Sequence, residues 1–213
     1  MSRPRVLLAD DHRMVAEGVK RLLEEEFELV GVVEDGRQLV EAAARLRPDV
    51  IVADVTMPHL NGIDALVLLK RDNPDVRVVF LTMHKDAAYA RRALEAGARG
   101  YVLKHSAQTE LFLAVRAALT GKTFITPVLA GEVIHDLTSS PTHPSDPVAL
   151  LTPRQREILQ LFGEGCSTKR IASTLDISAR TVEYHKYQMM DLLKLQSSAE
   201  LIHFAIKNGI VPI

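Results

Sequence analysis

Four short apolar runs in the first half of the chain each end on groups that can hold or transfer charge. "RVLLA" leads into Asp10 and Asp11, "VIVA" into Asp54, "VVFL" into Thr82 and "GYVL" into Lys104. If the four runs lie side by side, three carboxylates, a hydroxyl and an ammonium meet in one small region. Carboxylates so placed raise one another's proton affinity unless a cation neutralises them. Oxygen ligands of this kind suit a hard divalent ion, and Mg2+ typically takes one or two carboxylates together with phosphate oxygens and waters. A carboxylate flanked by a metal and a lysine is also a sufficient nucleophile for phosphoryl transfer, which needs positioning and charge neutralisation more than covalent help. Taken singly, an Asp at a strand end also suits a helix cap or a turn. Five suitable groups at corresponding strand ends favour a shared site.

The elements that must position them follow from periodicity. Strands are expected at 5–9, 29–33, 50–53, 77–81 and 100–103, each followed by apolar residues at three- and four-residue spacing, such as Val15, Val19, Leu22 and Leu23, or Leu111, Val115 and Ala118. The runs are continuously apolar rather than alternating, so both sheet faces should be covered. This predicts an α/β doubly wound, five-stranded parallel sheet in residues 1–126. In such a sheet ligands sit outside the carboxyl ends of the strands, where the five groups lie.

Composition changes further along. Residues 127–147 include "TSSPTHPSDP", which has little to pack and reads as a linker, with a possible helix at 128–137. Residues 148–213 are helical in pattern and should form a small all-α domain. Thr152 before Pro153 looks like an N-cap, Gly163 and Gly165 end that helix, and Ser167, Ser178 and Ser197 or Ser198 can cap three more. Four short helices in so few residues suggest a helix-turn-helix bundle.

Bulk properties narrow the classes. The chain has 213 residues, 47% of them hydrophobic, enough for real cores. Residues 151–213 carry 8 Lys and Arg against 6 Asp and Glu, which excludes a strongly polycationic nucleic-acid binder but leaves room for a local patch. Cys166 is the single cysteine and has no metal or redox spacing around it. No apolar stretch is long enough for a leader or a membrane span, so a cytoplasmic protein without membrane attachment is expected.

The segments "LLADDH", "VIVADVTMPHLNG", "VVFLTMH" and "GYVLKHS" resemble, in order and spacing, the receiver domain of two-component response regulators, the CheY-like fold with its flavodoxin-like strand order, over roughly residues 4–122. The resemblance implies that Asp54 accepts a phosphoryl group from a sensor histidine kinase. It further implies that Asp10, Asp11, Asp54 and the backbone carbonyl of Thr56 hold Mg2+, that Lys104 pairs with phosphoryl oxygens, and that Thr82 and Tyr101 are the switch residues. Met83 stands where the family usually has a small residue and is expected to crowd the pocket. His105 stands where many receivers have proline, so a cis bond there is not assumed. His84 and His59 read as solvated loop residues without a role.

"LTPRQREIL", "GCSTKRIASTLDISARTVEYHKYQMMDLLKL" and "SSAELIHFAI" resemble the LuxR-type DNA-binding domain, and the two halves together resemble the NarL/FixJ class of response regulators. A helix-turn-helix places the N-terminal residues of its second helix at base edges in the major groove. Ile171, Ala172 and Leu175 should face inward from one helix, and Val182, Met189, Leu192 and Leu193 from the next. Glu183, Tyr184 and Tyr187 would then face bases, and Lys169, Arg170, Arg180, Thr181 and Lys186 backbone phosphates. His185 is expected to pack or to meet a phosphate rather than a metal. The resemblance implies double-stranded promoter DNA as partner and a homodimer when active, formed through the last helix, whose Leu201, Phe204 and Ala205 could equally be core.

The expected function is a DNA-binding response regulator controlled by phosphorylation of Asp54. A phosphorylation-independent regulator, controlled by ligand or partner, is the alternative, and Met83 is its only hint. A haloacid-dehalogenase-like hydrolase would need a second acid where Thr56 stands, so no enzyme is expected.

Overall fold

The computed structural model describes residues 3–138 and 147–211; residues 139–146 of the expected linker lie outside them. The chain divides into two compact units, Met1–Ser140 and Pro141–Ile213.

The first unit alternates β1 (Arg5–Ala9), α1 (Arg13–Glu24), β2 (Glu28–Val33), α2 (Gly36–Leu46), β3 (Val50–Ala53), α3 (Gly62–Asp72), β4 (Val78–Thr82), α4 (Ala87–Glu95), β5 (Gly100–Leu103) and α5 (Ala107–Leu119). These are followed by β6 (Phe124–Ile125) and α6 (Pro127–Thr138). All pairings are parallel, in the order β2-β1-β3-β4-β5-β6. The strands' twofold side-chain alternation sorts their residues into two cores. Leu7, Ile51, Phe80, Tyr101 and Leu103 face α2, α3 and α4, whereas Val6, Leu8, Val52, Leu81 and Val102 face α1 and α5.

The sheet has six strands, not the expected five. Phe124 pairs with Gly100 and Ile125 with Tyr101, after Gly121 at φ +76° turns the chain back from α5. Two residues show no period, so this strand leaves no pattern to read. Thr126 then locks the edge, its hydroxyl donating to Glu110 Oε2 at 2.7 Å and accepting from the Leu103 amide at 3.1 Å. Helix α6 lays Leu129 and Val133 into the same core as Ala87, Ala90 and Ala93 of α4.

The second unit comprises α7 (Pro153–Gly163), α8 (Thr168–Leu175), α9 (Ala179–Leu192) and α10 (Ser198–Lys207). Local chemistry sets its helix starts: Thr152 and Gln155 form a capping box, and Ser167, Ser178 and Ser197 accept from the amides of Arg170, Thr181 and Glu200. Ile158, Leu161, Ile171, Ala172, Leu175, Val182, Met189, Leu201 and Ala205 are buried in one core. Leu193 is packed against that core, but Leu192, expected inside, is 43% exposed. The last turn of α9 points it away from the neighbours that Met189 and Leu193 meet.

Candidate functional site

The carboxyl ends of β1, β3 and β5 bring Asp10, Asp54 and Lys104 together. Lys104 Nζ lies 2.6 Å from Asp54 Oδ2 and 2.8 Å from Asp10 Oδ2, and its side chain is only 6% exposed. Burial opposes the Lys104 charge, but the Asp54 carboxylate and hydrogen bonds to Asp10 and Asp54 outweigh it, holding its pKa above the usual lysine value. Asp10 Oδ1 also accepts from the His12 amide at 2.9 Å.

Asp11 and His12 complete the cluster. Asp10, Asp11, His12 and Asp54 each offer one ligand atom, all within 4.8 Å of one another. His12 Nδ1 stands 2.9 Å from Asp11 Oδ1, yet that buried oxygen accepts no hydrogen bond. Buried polar atoms are normally paired, so an oxygen with spare capacity beside two other carboxylates fits a hard divalent cation.

The loop after Asp54 is fastened by packing and hydrogen bonds. Val55, Met57 and Leu60 are buried, Asn61 caps α3 by accepting from the Asp64 amide, and the Gly62 amide donates to the Val55 carbonyl at 2.8 Å. A Cβ at Gly62 would stand 2.2 Å from the Asp54 carbonyl oxygen, so only glycine lets α3 begin this close to the site. His59 in this loop takes φ +64°, and its Nδ1 lies 3.5 Å from Asp35 Oδ2.

A second network joins the remaining groups through His84. Its Nε2 is 2.6 Å from Thr56 Oγ1, its amide donates to Thr82 Oγ1 at 3.3 Å, and its carbonyl accepts from the Tyr101 hydroxyl at 3.0 Å. The imidazole stacks on Tyr89 with centroids 4.3 Å apart. Burial pulls the His84 pKa below its usual value against the opposing pull of Asp54. Burial likewise pushes the Tyr101 phenol well above its ordinary value, so it remains a hydrogen-bond donor. Thr56 itself donates its amide to Asp54 Oδ1 at 3.4 Å.

In the second unit, α9 carries a surface of unusual composition. Tyr184 and Tyr187 are 58% and 62% exposed, and Gln188 Nε2 donates to the Tyr184 hydroxyl at 2.7 Å. Glu183 accepts from the Thr168 hydroxyl at 2.6 Å and is ion-paired with Lys186. The hydrogen bonds from Lys186 and Thr168 hold its pKa below the usual glutamate value. Lys169, Arg170 and Arg180 are exposed, and Thr181 bonds to its own cap, Ser178. His185 turns a buried Nδ1 with no hydrogen bond towards the interior, and its pKa is lowered by burial and by Arg154.

Comparison with known proteins decides what these two surfaces belong to. Residues 6–116 match the response regulator receiver domain, and residues 149–205 match the bacterial regulatory proteins of the luxR family. The chain is 34% identical to the oxygen regulatory protein NreC of Staphylococcus epidermidis over 215 residues, covering 97% of this chain and 99% of that one. It belongs to the DNA-binding response regulators. This response regulator is also 34% identical to the transcriptional regulatory protein DegU of Brevibacillus brevis, over 98% of this chain and 95% of that protein. Among solved structures, RcsB of Salmonella typhimurium superposes with a TM-score of 0.58 at 29% identity, covering 96% of this chain and 98% of that one. As a member of this class, the chain is a phosphorylation-controlled transcription regulator of two-component signalling, and not an enzyme.

Within the response regulator, Lys104 meets Asp10 and Asp54 directly and Asp11 clusters with those two carboxylates, whereas Thr82, Tyr101 and Thr56 are joined through His84, Thr56 also reaching Asp54 through its amide. His84, expected to be a solvated loop residue without a role, is instead half-buried between Thr56 and Tyr89, a partnership hidden from the sequence because Thr56 lies 28 positions away. Its one signal was its place two residues after Thr82 at the strand end. Met83 is 66% exposed, so its bulk points to solvent instead of crowding the pocket. Among the described residues no peptide bond is cis, Lys104–His105 included. Leu201 and Ala205 are core; Phe204 is partly buried and lines a groove with Leu195, Ala199 and His203. No helix among the described residues is long and apolar enough to cross a membrane.

Proposed function

We propose that Asp54 is the phosphoacceptor and that its phosphorylation by a sensor histidine kinase controls dimerisation and binding to double-stranded promoter DNA. The carrying observation is the Lys104 ammonium, 2.6 Å from Asp54 Oδ2 and 2.8 Å from Asp10 Oδ2. An Asp54 oxygen forms the new O–P bond as the P–N bond of the kinase's phosphohistidine breaks, and the ring, already protonated on its other nitrogen, leaves as neutral imidazole. Lys104 pairs with the phosphoryl oxygens, and Thr82 turns its hydroxyl from the His84 amide towards them. Tyr101, bonded to the His84 carbonyl, follows the same loop and passes the change on. Asp10, Asp11, Asp54 and the Thr56 carbonyl are the proposed Mg2+ ligands; the bound ion would neutralise charge on the transferring group.

The receiver is assigned to residues 1–126, the connecting segment to 127–147 and the DNA-binding domain to 148–213; the separate cores support two domains, with α6 of the connecting segment packed into the receiver core through Leu129 and Val133. Tyr184 and Tyr187 are proposed at base edges and Lys169, Arg170, Arg180 and Thr181 at phosphates, as a related response regulator, RcsB, has been solved in complex with DNA. A cytoplasmic location follows from these two partners.

Incubating the full chain with Mg2+ and acetyl phosphate should add the mass of one phosphoryl group and shift its affinity for selected DNA fragments. Asp54→Asn should abolish both. Retention of the regulated shift in that variant would favour control by a ligand or partner.

A further inference from the structure

Glu183 and Lys186 lie one turn apart on α9, where an acid at a base edge and a lysine at a phosphate would each have to be free. Neither is. The carboxylate takes the Lys186 ammonium on Oε2 and the Thr168 hydroxyl on Oε1 at 2.6 Å, so its two oxygens are both engaged within the domain. Lys186 is correspondingly withdrawn, with its side chain only 12% exposed and its ammonium 4.9 Å from the Tyr187 ring centroid. Thr168 is the first residue of α8, so the carboxylate also ties the start of one helix of the motif to the first turns of the other. Tyr184 and Tyr187 stand out beside this group, and Gln188 orients the Tyr184 hydroxyl at 2.7 Å.

We propose that Glu183 is a positioning residue that restrains Lys186 from the DNA backbone and fixes α8 against α9, leaving base choice to Tyr184, Tyr187 and Gln188. The inference rests on α9 being the DNA-facing helix. It assigns a direction to the charge effect: the carboxylate lowers non-specific affinity by withholding one cation. A protein that gives up a phosphate contact becomes less salt-sensitive, and its discrimination then rests more on base edges. A tyrosine edge offers a hydroxyl for hydrogen bonding and a ring for the thymine methyl.

The test uses the full chain with acetyl phosphate and Mg2+, a selected duplex and a random-sequence duplex, titrated by anisotropy across a salt series. Glu183→Gln keeps the side chain's volume and an acceptor for Thr168, and its helicity and melting curve verify the fold. It should steepen the slope of log K against log salt by about 0.9 per bound protomer, a change of about threefold in affinity ratio over a fourfold salt range. Adding Lys186→Ala should restore the wild-type slope, and the base preferences selected from a random pool should stay those of the wild type. Tyr184→Phe should alter preference at one position without changing the slope. An unchanged slope in Glu183→Gln, or loss of preference at a single base pair there, would overturn the proposal alone. If substituting Tyr184, Lys169, Arg170 and Arg180 leaves binding untouched, the DNA-facing assignment of α9 fails and the proposal with it.

Discussion

At the residue scale, Lys104 holds two buried carboxylates in place, and each of the three charges depends on the other two. Removing one partner of such a buried set leaves charge uncompensated and typically costs about 3–5 kcal/mol. Lys104→Met should therefore lower the unfolding free energy measured in urea at neutral pH by about that amount. Added Mg2+ should recover part of it, because a cation that binds only the folded cluster stabilises by mass action. A loss unaffected by Mg2+ would show that the cluster holds no cation. Tyr101 provides a pH signature of the network around His84. Its folded pKa is raised by burial, so its stabilising contribution is complete below the unfolded value of 10.0 and is lost as pH rises beyond it. Stability should thus fall more steeply above pH 10 in the wild type than in Tyr101→Phe, where the ionisable group is gone.

At the element scale, the start of α3 decides whether Asp54 is presented correctly. Gly62→Ala would drive a methyl to 2.2 Å from the Asp54 carbonyl, displacing either the helix or the strand end. Overpacking of this kind costs about 1–3 kcal/mol, and phosphorylation by acetyl phosphate should slow together with the loss of stability. Helix α6 is anchored differently, by two side chains in the core that it shares with α4. Leu129→Ala should destabilise by about 2–5 kcal/mol as measured by chemical unfolding, since Leu129 is 4% exposed. A much smaller cost would mean that α6 is not docked there in solution. In the second unit, the serine caps each define a helix start, and Ser178→Ala should weaken α9 by about 1 kcal/mol.

At the scale of the whole molecule, a near-neutral chain with mildly basic residues 151–213 has little long-range attraction for DNA. With Lys186 withheld, the three proposed phosphate contacts of Lys169, Arg170 and Arg180 would give a salt slope of about −2.7 per bound protomer. A slope much steeper than this would require cations elsewhere on the chain to reach the duplex. The division into a parallel sheet and a helical bundle was legible from the chain alone, because apolar runs, helical spacing and capping serines act over a few neighbouring residues. The same locality placed Asp10, Asp11, Asp54, Thr82 and Lys104 at strand ends, where winding of the sheet makes them converge. What escaped was settled between distant residues. Phe124 and Ile125 become a strand only because β5 offers an edge, and His84 joins the site only because the β3–α3 loop brings Thr56 to it. Glu183 likewise looked free for a base until α8 set Thr168 against it. Periodicity and capping reveal where a side chain starts, but its partner is chosen by packing, which no local pattern encodes.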